Sequence, residues 1–146
     1  MGLFHKDFFD KAIDDEFAFL GKSSGQLLTE STNGELLVDG TETYNLAQTH
    51  KNDLHTMMRC CESELKKMDL VGLVAAPFYF ERVAILARKD KNYSLEIEII
   101  EKYISSIRKF YNENGLQLGE GVMAGPRYKS IEGRLSKAHE LLLKNS

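Results

Sequence analysis

The chain has 146 residues, 42% of them hydrophobic and 28% charged, with a formal net charge of −3 and a pI near 5.8. That length suffices for one domain with its own apolar core, without disulfide or metal staples. The acidic balance, with only short basic clusters such as Arg88, Lys89 and Lys91, argues against a nucleic-acid binder, which carries a basic face.

Residues 1–20 predict an amphipathic helix. Phe4, Phe8, Ile13, Phe17 and Leu20 recur near the helical period, and Asp7, Asp10, Lys11, Asp14 and Asp15 fill the other side. Phe8, Phe9 and Phe17 either pack on the core or form a docking face for a partner groove. Residues 21–42 are loop-like. Within them Asn33-Gly34 separates the apolar runs 27–29 and 36–38 and predicts a short β-hairpin near 27–38, because both turn residues tolerate positive φ. An ordered loop is the alternative.

One long helix is expected over 43–70, where Leu46, His50, Leu54, Met57, Cys61, Leu65 and Met68 step by threes and fours. The chain relaxes through Val71-Gly72-Leu73. Pro77 then opens a helix over 77–89, in a first-turn position that needs no amide donor. Phe80, Val83, Ala84 and Ala87 share one of its faces, and Arg88 and Lys89 complement the dipole at its end. Lys91-Asn92 turns the chain into a helix over 94–112, with Ser94 as the expected N-cap and Ile97, Ile100, Ile104, Ile107 and Tyr111 as its stripe. A glycine-rich connector at 119–125 leads to a last helix over 126–144, which places Tyr128, Ile131, Leu135, Ala138 and Leu142 on one face. The expectation is a mainly α, compact single domain of about five helices spanning the chain.

Few residues suggest chemistry. His5, His50, His55 and His139 show no metal-ligand spacing. Cys60 and Cys61 are adjacent, which disfavours a mutual disulfide, and reduced thiols on a helix are expected. A Cys60 or Cys61 nucleophile near His55 lacks a third group to orient it. Gly119-x-Gly121-x-x-x-Gly125 precedes a helix, as a phosphate cradle would. It lacks the Lys-Ser/Thr ending of a P-loop and follows a helix rather than a strand, so it reads as a flexible connector. Glu98 and Glu101 share a helix face at i,i+3 spacing, as a solvated or partner-facing acidic stripe. No catalytic, cofactor-binding or metal-binding residue is assigned. No apolar run approaches a membrane span, and Met1 to Lys6 lack the apolar run of a signal peptide, so the expected setting is cytoplasmic with no membrane partner.

The run from Pro77 to Glu101, PFYFERVAILARKDKNYSLEIEIIE, resembles a single tetratricopeptide-repeat unit at about 76–104, in a form similar to a bacterial variant. Val83-Ala84 match the apolar-small pair of its first helix, Tyr93 the aromatic after the turn, and Ile100 the large apolar residue of the second helix. Glu96 departs from the general pattern, which prefers a small residue there. No second copy follows at the repeat period, so the other helices must cover the hairpin. The resemblance implies a non-catalytic module that binds another protein. Tyr79, Arg82 and Leu86 of the first hairpin helix are the expected groove residues, with packing of Tyr79 and Leu86 against a neighbouring helix as the equal alternative, and Glu98 and Glu101 form an acidic surface.

A narrower alternative is a small bacterial or phage-encoded inhibitor, such as an immunity protein whose acidity steers it to a basic toxin. An enzyme using the glycine-rich loop or Cys60/Cys61 ranks third. A homo-oligomer is a further expectation, since a lone repeat-like unit can find its missing neighbours in a second copy.

Overall fold

The computed structural model describes residues 24–145. The helix expected over 1–20, with Phe8, Phe9 and Phe17, lies outside the described residues. Within them the chain forms six helices: α1 (Ser24–Ser31), α2 (Thr43–Thr49), α3 (Leu54–Val71), α4 (Pro77–Lys89), α5 (Tyr93–Glu113) and α6 (Pro126–Lys144), with a 3₁₀ turn at Gly121–Ala124.

The expected β-hairpin does not form. Residues 24–31 are helical, and Asn33-Gly34 ends that helix instead of joining two strands. Both residues take positive φ (53° and 78°). Gly34 donates to Thr29 O at 2.9 Å and Asn33 to Glu30 O at 3.2 Å, the six-to-one and five-to-two bonds of a Schellman ending. The turn chemistry anticipated at Asn-Gly is present, but it serves a helix C-terminus. The remaining strand-like pairing is an isolated bridge between Val38 and Thr41.

The helix expected over 43–70 is broken into α2 and α3. At the break, the Asp53 side chain accepts from the Thr56 amide at 3.2 Å and caps α3. The hydrogen bonds from Thr56 hold the Asp53 carboxyl below the usual carboxylate range. The cap is therefore present at neutral pH and is lost as pH falls through that lowered value. His50, expected in the apolar stripe, is exposed. The buried residues of α3 are Met57, Cys60, Cys61, Ser63 and Glu64, and Gly72 in the left-handed region (φ 69°) stops the helix.

Helices α4 and α6 form with the expected bounds. Between α4 and α5, Lys91 takes φ 58°. Its amide donates to Arg88 O at 2.9 Å, and that of Asn92 to Ala87 O at 2.8 Å. Asn92 then caps α5 by accepting from the Leu95 amide, the role expected of Ser94. One residue thus ends α4 and starts α5, so the two helices fold back on each other through three residues.

Helix α4 is central, packed by α3, α5 and α6. Ala84 and Ala87, fully buried, permit that close approach. Tyr79, Phe80, Val83 and Leu86 are buried with them, so the buried face of α4 is broader than the stripe expected from Phe80, Val83, Ala84 and Ala87. Fully buried Ile100, Tyr103, Ile107 and Ile131 complete the core from α5 and α6, each worth about 1.5–3 kcal/mol of apolar burial. The Tyr103 hydroxyl donates to Ala75 O at 2.9 Å, tying α5 to the segment before α4. No described helix is long and apolar enough to cross a membrane.

Candidate functional site

The surface expected to bind a partner is largely occupied by the chain itself. Tyr79 and Leu86 are buried at 5% and 8% exposure. Burial raises the Tyr79 hydroxyl to about 12, against a hydrogen bond with Thr43 of α2. Arg82 is turned back onto the protein: its Nε donates to Lys51 O at 3.0 Å and its guanidinium to Asn52 Oδ1 at 2.6 Å. The groove anticipated on α4 is therefore closed in this fold. The physical reason is that Thr43 of α2 and the 50–53 turn contact this face of α4.

Glu98 and Glu101 are on the outward side of α5 and exposed. Neither is within an ion pair or side-chain hydrogen bond among the described residues. Glu96, two residues earlier, points the opposite way and is fully buried. Its Oε1 accepts from Arg88 Nε at 2.9 Å. Its Oε2 lies 2.8 Å from the Arg88 guanidinium and 2.9 Å from that of Arg134. Arg88 also donates to Arg134 O at 3.2 Å. One carboxylate thus joins α4, α5 and α6. Arg88 is in the last turn of α4 and Glu96 in the first turn of α5, so each charge also complements its helix dipole. The arrangement fixes α5 and therefore the direction in which Glu98 and Glu101 face.

Of two other candidate centres, the cysteines take the expected form, free thiols on a helix, and the glycine-rich segment does not. Both cysteines are free and buried. Burial pushes the Cys60 thiol up to about 11, and it pushes Cys61 up further. At neutral pH the Cys60 thiolate fraction is on the order of 10⁻⁴, which works against nucleophilic attack. A colorimetric disulfide reagent is expected to leave both thiols untouched in the folded protein and to titrate two per chain in denaturant. Rapid reaction of either thiol before unfolding would contradict their burial.

The glycine-rich segment is an ordered turn, not a loose connector. Gly119 and Gly121 take φ 89° and 60°, Met123 is buried, and the Tyr111 hydroxyl donates to Glu120 O. A Cβ at Gly121 would stand 2.7 Å from Tyr111 Oη. Gly121→Ala is expected to cost about 1–3 kcal/mol from backbone strain and this overlap. Adding Tyr111→Phe should return the steric part in a thermal-unfolding double-mutant cycle, and full additivity would contradict the contact.

His50, His55 and His139 are exposed, and no group of three or more His, Cys, Asp or Glu side chains converges as a metal site among the described residues. Sequence reasoning singled out Glu98 and Glu101 but missed the buried triad beside them. Its legible half was the opposite charges of Arg88 and Glu96 across a short turn. A scan against protein-family models, a search of curated proteins and a search of solved structures each return no match to this chain.

Proposed function

We propose that the chain is a non-catalytic protein-interaction domain whose α5 surface, centred on Glu98 and Glu101, docks on a basic face of another protein. The observation that carries this reading is the pair of exposed carboxylates, unpaired among the described residues, on a helix held from behind by Glu96 and its two arginines. Preorganised charge steers association and suppresses wrong partners. The α4–α5 hairpin is read as one tetratricopeptide-like unit. Fully buried Ala84 and Ala87 at its helix contact, and buried Tyr93 after its turn, support that reading. In this chain α3 and α6 take the places of neighbouring repeats.

Capture from the source cells tests the proposal. Glu98→Arg with Glu101→Arg is expected to weaken retention of a specific partner by about tenfold or more, since like charges across an interface repel. An unchanged partner set with the reversed surface would count against α5 as the docking face. A basic enzyme among the captured proteins, inactive in the complex, would meet the narrower inhibitor reading.

A further inference from the structure

The break between α2 and α3 has the properties of a hinge. Leu46, Leu54, Met57 and Cys61 keep helical spacing straight through it, and on a continuous helix they would share an arc of about 80°. Residues 50–53 contain neither glycine nor proline, and none of them takes positive φ, so no steric block prevents them from becoming helical. The break is held from outside the local sequence. Arg82 grips Lys51 O and Asn52 Oδ1, and the Asp53 side chain caps α3. Among the described residues, the arm N-terminal to the break, 24–49, reaches the body through the following contacts. Leu36, Val38 and Leu46 are buried, Ser63 Oγ donates to Leu36 O, Arg59 pairs with Asp39, and Thr43 meets Tyr79.

The geometry points to exchange of this arm between two copies of the chain. Residues 50–53 straighten, α2 and α3 become one helix, and the arm of each copy occupies the α3–α4 surface of the other. Every arm contact is then remade between copies, so the occupant of the surface is chemically the one already seated there. At low concentration the intramolecular arm wins, because a short connection holds it at an effective concentration of about millimolar. Concentrated refolding favours the exchanged pair, and the pair persists because separation requires both arms to detach.

The test compares the full chain with two variants after refolding at high concentration, by sedimentation velocity. Asn52→Ala with Asp53→Ala removes the cap and one Arg82 acceptor and raises helix propensity at the break. Leu54→Pro places proline at the first position of α3, where it fits, and prevents a helix from running through. The wild type should yield a dimer fraction, the double variant a several-fold larger one, and Leu54→Pro none. Spin labels on Asn45→Cys and Glu62→Cys should read about 26 Å along each continuous helix of the dimer, beside a shorter distance between copies that matches the monomer's, where α2 contacts α3. A wild type and double variant that remain monomeric at every concentration overturn the proposal. So does a dimer that shows only the monomer's label distance and not the long one, or one that Leu54→Pro forms equally. If the double variant does not fold, the comparison of wild type with Leu54→Pro decides by the same outcomes.

Discussion

Replacing Glu96 with alanine is expected to destabilise the fold by about 3–5 kcal/mol, because it strips the shared counter-charge from two arginines that meet inside the α4–α5–α6 junction. Arg88 and Arg134 retain 28% and 20% side-chain exposure, so water relieves part of that penalty and the lower end of the range is expected. The readout is the urea midpoint at an unchanged slope. A shift of less than about 1 kcal/mol, typical of an exposed pair, would contradict the buried role of Glu96. A buried ion pair is weak evidence for stability in itself, since well-packed apolar replacements can equal it. Replacing all three side chains with apolar residues of similar volume should accordingly recover most of the loss.

Phe80→Ala is expected to cost about 3–5 kcal/mol by a different route, the loss of apolar contacts and the cavity left behind. Phe80 is fully buried, and its ring centroid lies 4.5 Å from that of Tyr103. It occupies the helix packed by all three long neighbours, so the surroundings have little freedom to collapse. Tyr103→Phe keeps the ring and removes only the bond to Ala75 O, for about 1 kcal/mol. The two substitutions separate packing from hydrogen bonding at one contact. Equal losses in thermal unfolding would show that the hydroxyl, not the ring, dominates there.

The long amphipathic segments were legible because periodicity and caps agreed. Pro77 and Pro126 marked helix starts, Gly72 marked a stop, and alanines at 84 and 87 announced close packing. The errors fall where a local signal has two uses. Asn33-Gly34 suits a hairpin and a helix ending equally, and only the helix at 24–31 decides between them. The apolar spacing from Leu46 to Met68 favours one helix, whereas the fold breaks it at residues gripped by Arg82, thirty residues further on. At the candidate site, the outward spacing of Glu98 and Glu101 was readable from i,i+3 geometry. The inward turn of Glu96 was not, because one of its partners, Arg134, is 38 residues away. Tyr79 and Leu86 were expected to line a groove, but whether an α4 surface is open depends on which helix covers it, a long-range property.

These elements have a shared functional consequence. Arg82 links the groove face to the 50–53 break, and Glu96 links the core to the acidic face of α5. Binding at the α4 groove would require the arm and the 50–53 turn to leave, whereas binding at α5 requires no rearrangement. Photo-cross-linking in the source cells distinguishes these surfaces most directly, with the reactive side chain placed at Glu101 or at Arg82 in otherwise full-length protein. The account predicts a discrete cross-linked partner from position 101 and none from position 82. A discrete partner from position 82, with none from 101, would contradict it.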